Sequence, residues 1–386
     1  MKTVLFILDN YFPYGTAASS RARSLCQLFS LCGYKVHVIC SRTFESNVDL
    51  HCIFNLPFCT YKVSTGKKLT SIASFVGTPE LMQNVEVYLN ANNPDIVFAM
   101  NSLTYFCKLQ KLCKLKKVKL IVEQNEWRDS SSFKLGKLDF RYIREEWLIA
   151  KGYRKANGII AISRFLQNHY LGLGVNTVRI PTILDVKEMQ YSLHPFGEKI
   201  RIVYTGNPST SKEFLGPMIK VLLKNPELHE RFEFHIYGPD YDKVKKNIGE
   251  LSYHLEEMRQ VVFIHGKIEQ EKIRKIIMDA DFQLFLRPNR RSSNAGFPTK
   301  LGESMSVGTP VITNITGDIG LYLFDDKNGY IVPHSTEDSL SIVLNKVMRM
   351  DRNRYISMRK KARETAEKAF DYRNYINEVS RVLITE

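Results

Sequence analysis

The sequence predicts an α/β protein built from two doubly wound parallel-sheet domains in tandem. Three observations carry that prediction. The chain has 386 residues, which at roughly 100–200 per domain is two domains with ample core. Short apolar runs alternate with stretches whose apolar residues recur at helical spacing, the pattern of strand–helix–strand units with right-handed crossovers. That pattern lapses over 181–198, which holds Pro181, Pro195 and Gly197, and then restarts. The chain thus divides into 1–180, a linker over 181–198, and 199–386. At 44% hydrophobic and 25% charged, the composition excludes a disordered polymer, a collagen-like repeat and a small disulfide scaffold.

In the first domain, Val4 to Leu8 is a strand and Asp9 to Thr16 a loop bearing Gly15. A helix starts near Ser19 or Ser20, both good caps, and its face carries Ala22, Leu25, Cys26 and Phe29. Gly33 ends it, and 36–40 is the next strand. Residues 95–99, 119–122 and 158–162 read as further buried strands of one parallel sheet.

The second domain repeats the grammar. Ile200 to Tyr204 is a strand, followed by a turn from Thr205 through Gly206 to Lys212 and a helix from about Glu213. Strands follow at 232–237, which ends at Gly238, at 261–264, which ends at His265-Gly266, at 282–286 and at 311–313. Helices lie at about 269–280 and 300–307. Ser335-Thr336-Glu337-Asp338 resembles a capping box before a late helix. Ligands of such sheets bind beyond the carboxyl ends of the strands.

The net charge is +15, and it is uneven. Residues 1–195 carry 25 Lys and Arg against 14 Asp and Glu, a net of +11; residues 196–386 carry 30 against 26, a net of +4. A polyanionic or membrane partner for the first half is expected. Two stretches suit an anionic membrane surface. One is Lys108 to Lys119, with Leu109, Leu112 and Leu115 among its lysines. The other is the aromatic and basic set Phe140, Arg141, Tyr142, Arg144, Trp147, Lys151, Arg154 and Lys155. No nucleic-acid module is present, so no specific nucleic acid is expected. The seven cysteines lie between Cys26 and Cys113 without a C-x-x-C pair, and read as reduced thiols. The N-terminal apolar run is too short for a signal peptide, and no run approaches the roughly 20 residues of a membrane span. The expected location is the cytoplasm, or peripherally the cytoplasmic face of the inner membrane.

The segment Gly296-Phe297-Pro298-Thr299-Lys300-Leu301-Gly302-Glu303, continued by Gly308-Thr309-Pro310-Val311, carries the chemistry. Unpaired N–H groups at a helix start favour an anion, Gly296 lets backbone approach closely, and Lys300 adds positive charge. Glu303, acceptor-only when ionised, suits two ribose hydroxyls. This segment resembles the donor-site signature of retaining, two-Rossmann (GT-B type) glycosyltransferases, and most of all the fourth glycosyltransferase family of bacterial surface-polysaccharide synthesis. The resemblance spans nearly the whole chain. It implies an interdomain cleft, an acceptor-side first domain and a nucleotide-sugar-binding second domain, with the last helix returning to the first. It also implies sugar transfer with retention of configuration to a saccharide or lipid-linked acceptor.

Residue by residue, the resemblance assigns donor binding to Gly15, Thr16, Gly206, Lys212, Gly266, Asn294, Gly296, Phe297, Pro298, Thr299, Lys300 and Glu303. Two departures stand out. Ala295 occupies the place of a second Glu that contacts the donor sugar in many members, and Asn294 or backbone groups are the candidates to serve instead. Asn207 replaces an Arg, leaving Arg287, Arg290 and Arg291 to supply charge. Where relatives place a His facing the sugar, Asn125 and Glu126 are the catalytic candidates. Arg21 is read as facing either the cleft or solvent. Asp279-Ala280-Asp281 has the form of a metal motif but straddles a helix end and a strand start, so no metal site is expected, and no cofactor. The donor that the resemblance leads one to expect is a UDP- or GDP-linked sugar. A nucleotide-sugar epimerase and an inactive transferase-like scaffold are the alternatives.

Overall fold

A computed structural model describes residues 2–42, 79–100, 102–208 and 212–383. The chain separates into two units, Met1–Leu184 with Tyr372–Glu386, and Asp185–Asp371. The stretch 181–198 is therefore divided between them at Leu184.

Among the described residues of the first unit, six strands form a parallel sheet: β1 (Lys2–Tyr11), β2 (Tyr34–Arg42), β3 (Ile96–Met100), β4 (Lys119–Gln124), β5 (Gly158–Ala161) and β6 (Thr177–Arg179). Their order is β2-β1-β3-β4-β5-β6, and Val4 stands in register with both Val36 and Ile96. Val4 to Leu8 and all of β3 are buried, as expected for strands covered on both faces. The helices are α1 (Ala17–Leu31), α2 (Pro79–Ala91), α3 (Phe106–Lys116), α4 (Phe140–Trp147) and α5 (Arg164–Gly172). Phe6 lies 5.2 Å from Phe29 and 4.5 Å from Phe98, ring to ring, locking α1 onto the sheet. This helix starts earlier than Ser19. Thr16 is the cap, its Oγ1 accepting from Ser19 N at 3.1 Å, while the buried Ser19 hydroxyl donates to Tyr11 O. Cys26, Cys40 and Cys113 are buried and Cys107 is exposed; Cys52 and Cys59 lie outside the described residues.

In the second unit the strands are β7 (Ile200–Thr205), β8 (Phe232–Tyr237), β9 (Val262–Gly266), β10 (Phe282–Leu284), β11 (Val311–Thr313) and β12 (Gly329–Ile331), ordered β12-β11-β10-β7-β8-β9. The helices are α6 (Gly216–Lys224), α7 (Tyr241–Ile248), α8 (Gln270–Met278), α9 (Arg291–Ala295), α10 (Thr299–Ser306), α11 (Glu337–Met348) and α12 (Arg352–Ala369). The helix expected from Glu213 begins instead at Gly216, because Phe214 forms an antiparallel bridge with Leu286. Thr336 caps α11, its hydroxyl accepting from Ser339 N, while Ser335 donates to Arg287 O.

Residues 185–198 lack periodicity because side chains of α12 hold them. The fully buried Arg359 donates from Nε to Ser192 O (2.9 Å), from Nη1 to Ala280 O and Tyr355 Oη, and from Nη2 to Met278 O. Arg363 donates to the carbonyls of Met189 and Val186. After α12 the chain returns to the first unit, where α13 (Ile376–Leu383) buries Val379 and Val382 among Ile121, Ile160 and Val178. Among the described residues no helix is long and apolar enough to cross a membrane.

Candidate functional site

In the second unit three adjacent strands end at glycines. Gly206, Gly238 and Gly266 have φ of +125°, +117° and +68°. Gly206 N donates to Tyr237 O (2.9 Å) and Gly238 N to Gly266 O (2.7 Å). A Cβ on Gly238 would stand 2.4 Å from Gly206 O, so only glycine fits there. A Cβ on Gly206 would stand 3.0 Å from Lys300 Cε and 3.1 Å from Nζ, which puts Lys300 directly over the end of β7.

Lys300 lies in the first turn of α10. Pro298 precedes this helix and no side chain caps it. Leu301 N donates to Pro298 O at 3.1 Å, and the amides of Thr299 and Lys300 before it are those left without a partner within the helix, a setting that favours an anion. Lys300 Nζ sits between the two carboxylate oxygens of Glu213, at 2.7 and 2.6 Å, and 5.1 Å from the Tyr204 ring centre. The Tyr204 hydroxyl donates to Glu213 Oε2 at 2.5 Å; burial, then this carboxylate, pushes its pKa well up. The sequence offers no sign of Glu213's role, since a Glu just after Lys212 reads as an ordinary helix-start residue. Glu303, on the same helix as Lys300, is half-buried. Burial raises its carboxyl above the usual range, and Lys300 and Arg274 oppose that shift.

Gly206, Lys300 and Glu303 thus form one constellation, with Gly266 tied to it through Gly238. Lys212 is exposed at the turn leading to Glu213, and Ser209 to Ser211 lie outside the described residues. Asn294 Oδ1 accepts from Gly317 N (2.8 Å) and its Nδ2 donates to Asn289 Oδ1, which fixes one loop against another. Ala295 beside it is fully buried. Gly296 has an ordinary φ of −86°, so its conformation does not require glycine. The Phe297 ring is core, edge-on to Tyr322 at 5.5 Å, which leaves only its backbone to a ligand. Arg287 is buried too, donating to Ser293 O and Thr316 Oγ1; it fixes the loop instead of facing a ligand. Asp281 accepts from Arg201 N and Tyr355 Oη at 2.7 Å each, so its carboxylate is engaged within the sheet.

The outer strands of this sheet carry a ladder of rings. Tyr237 and His265 stack at 4.2 Å, and His235 stacks on Phe263 at 4.7 Å. His235 Nδ1 and His265 Nε2 are 3.0 Å apart, and His235 Nε2 reaches Glu233 Oε2 at 3.1 Å.

In the first unit the candidates lie beyond the carboxyl ends of β1 and β4. Gly15 (φ +108°) is exposed, and the Thr16 side chain is spent on capping α1. Arg21 faces neither solvent nor a cleft. It is buried, donating from Nε to Glu123 Oε1 (2.5 Å) and from its other nitrogens to Pro181 O and Ile180 O. Burial raises the Glu123 carboxyl and Arg21 opposes it. Glu123 Oε2 in turn accepts from Asn125 Nδ2 at 3.1 Å, so Arg21 and Glu123 position Asn125. Glu126 is exposed, and the loop after it is pinned by Arg128, whose Nε donates to the buried Glu145 at 2.7 Å.

Comparison with known proteins gives the same architecture. Residues 18–188 match the model described as "Glycosyltransferase Family 4", and residues 191–369 the model described as "Glycosyl transferases group 1". Over 178 residues the chain is 26% identical to the Escherichia coli protein named "Putative colanic acid biosynthesis glycosyltransferase WcaL", a match covering 45% of this chain and 42% of that one. The chain thus spans about two fifths of that relative's length. Among solved structures, HepE from Anabaena in complex with UDP and glucose matches with a TM-score of 0.70 at 15% identity, over 99% of each chain. Sucrose-phosphate synthase from Thermosynechococcus elongatus matches with a TM-score of 0.72 at 15% identity, over 99% of this chain and 98% of its own. These two likenesses show the fold, and the two adjoining family matches cover both halves: the chain belongs to the family 4-like glycosyltransferases of the GT-B fold.

Proposed function

We propose that the chain transfers a sugar from a nucleoside-diphosphate donor to a saccharide acceptor in surface-polysaccharide synthesis. One observation carries the reading. Three backbone-exposing strand ends are linked in a row, and the first lies against Lys300, whose helix carries Glu303 and starts without a side-chain cap; together these offer amides and a cation to a diphosphate and a carboxylate to a ribose. Support for UDP comes from HepE, a fold relative solved with UDP and glucose. Support for the product class comes from the colanic acid name of WcaL. We infer a lipid-linked acceptor met at the cytoplasmic face of the membrane.

Transfer proceeds with retention and without a divalent metal. Charge on the leaving diphosphate is met by Lys300, Lys212 and the α10 amides, and the donor phosphate takes the acceptor's proton as its bond to the sugar breaks. Asn125 and Glu126 stabilise positive charge on the sugar or position the acceptor. Ala295 favours a second reading, a nucleotide-binding scaffold without turnover, because a buried methyl stands where relatives carry a carboxylate.

Thermal melts with UDP, GDP and ADP test the donor site: a ligand at a hundred times its Kd stabilises by about 2.7 kcal/mol. Incubation with the matching sugar nucleotide, acceptor and excess chelator tests the rest. Proton NMR should show product with the donor's anomeric configuration. Binding without product selects the scaffold, and acceptor-independent conversion of the donor selects an epimerase.

A further inference from the structure

Helix α4 is amphipathic in the inverted sense. Its inward residue is Glu145, 2% exposed, which accepts from Arg128 N (2.8 Å) and Nε (2.7 Å). Its outward face is apolar: Phe140, Ile143 and Trp147, at the i, i+3, i+7 spacing of one helix face, are all exposed. The turn before it adds Leu135 and Leu138, the latter 83% exposed. A helix held only by its fold presents these faces the other way round.

The charges around this face are predominantly basic. Asp139 caps α4 and pairs with Arg141 (2.7 Å), Glu145 is buried against Arg128, and Glu146 accepts from Trp127 Nε1 at 2.8 Å. Lys134, Lys137, Lys151, Arg154 and Lys155 are exposed. An apolar ridge with two aromatic residues and a mostly basic border matches the chemistry of a lipid headgroup interface. The lysines of α3 differ. That helix turns Phe106, Leu109 and Cys113 into the core, leaving Lys108, Lys111 and Lys114 as a basic face with only Leu115 strongly exposed among its apolar residues.

We infer that Leu135 to Trp147 docks the first unit on an anionic bilayer, with the apolar residues entering the interface and the lysines and arginines facing the headgroups. The inference deepens the transferase reading by naming the surface through which a lipid-linked acceptor is met. Arg128 and Trp127 tie α4 directly to the loop carrying Asn125 and Glu126.

The test is flotation of the full chain with vesicles of phosphatidylcholine alone or with about one third phosphatidylglycerol, at low and high salt. Binding is expected to the anionic vesicles, falling as salt shortens the Debye length from about 30 Å at 0.01 M to 10 Å at 0.1 M. The triple variant Phe140→Ser, Ile143→Ser, Trp147→Ser should lose binding at least tenfold while keeping the native melting temperature and its shift with UDP. Lys108→Gln, Lys111→Gln, Lys114→Gln should lose less than threefold. Trp147 emission should move to the blue on vesicles, a shift absent in Trp147→Phe. Equal binding by the α4 variant, a larger loss in the α3 variant, or no binding to anionic vesicles at low salt would each overturn the inference. So would a native dimer that the α4 variant makes monomeric without any vesicle binding. Flotation needs neither donor nor acceptor, so its failure leaves the transferase reading intact, and a failed transfer assay leaves vesicle binding intact.

Discussion

Lys300 Nζ stands between the two carboxylate oxygens of Glu213, at 2.7 and 2.6 Å, over the glycine that ends β7. The cation proposed to meet the donor diphosphate is thus already paired, with Tyr204 as third member of the cluster. A diphosphate entering this site competes with Glu213 for Lys300. Opposite effects follow for the two partners. Lys300→Gln should weaken UDP binding by the value of a charged hydrogen bond, roughly 1.5–3 kcal/mol. Glu213→Gln keeps the shape, removes the competing charge and should tighten UDP binding. Calorimetry on both variants checks the signs; weakening by both would assign Glu213 to positioning Lys300 instead.

Glu303 lies half-buried on the same helix as Lys300, and burial raises its carboxyl above the usual range. The ionised form is the one that accepts two ribose hydroxyls. Nucleotide affinity should therefore fall as pH drops through this raised value, at a higher pH than an ordinary carboxylate would set. Glu303→Ala should lose roughly 1.5–3 kcal/mol of UDP affinity and flatten that pH dependence, with the fold unchanged by circular dichroism. UDP affinity equal to the native value at pH 7 would remove Glu303 from the ribose role.

Much of this site was legible because its signals are local. Gly206, Gly266 and the run Gly296 to Glu303 announce strand ends and a helix start by residue type alone. Glu213 was not legible, because its importance comes from a fold that sets residues 204, 213 and 300 side by side. The surroundings of the Phe297 and Arg21 side chains were not legible for a related reason. In sequence Phe297 reads as a donor contact and Arg21 as facing the cleft or solvent; the ring of one packs on Tyr322 and the guanidinium of the other pairs with Glu123, partners elsewhere in the chain. The edge strands β6 and β12, three residues each, are too short to show a periodicity. On α4 and the turn before it the sequence singled out Phe140 and Trp147, but Leu135, Leu138 and Ile143 escaped, because spacing reveals that a face exists, not which way it turns.

Arg359 makes a prediction about stability. Its guanidinium is buried and donates to the carbonyls of Ser192, Ala280 and Met278 and to Tyr355 Oη, so it closes the stretch 185–198 onto the second unit. Arg359→Ala would leave three carbonyls without a donor and a cavity among them. The expected loss is on the order of 3–5 kcal/mol in urea unfolding, with Arg359→Lys recovering only part of it because ammonium cannot span the same fork. Proteolysis within 185–198 should accelerate in the variant. A loss under about 1 kcal/mol would show that the segment is held by other contacts.

The paired histidines of the outer strands predict an acid limit to the second unit. Burial holds His235 below its ordinary 6.5; the Glu233 hydrogen bond opposes this, and Arg201 and His265 reinforce it. Burial and Arg201 lower His265 as well. Only one proton fits between His235 Nδ1 and His265 Nε2 at 3.0 Å, so a doubly charged pair is disfavoured in the stacked ladder. Folded values below the unfolded value mean that the unfolded chain binds more protons as the solution is acidified. The contribution of the pair is therefore complete above about pH 6.5 and is lost as pH falls through the folded values. Melting temperatures from pH 8 to pH 5 should drop below pH 6.5 in the native chain. His235→Phe keeps a ring between Tyr237 and Phe263 but removes the titrating group, and should shallow that drop. An equally steep fall in the variant would place the acid sensitivity elsewhere in the fold.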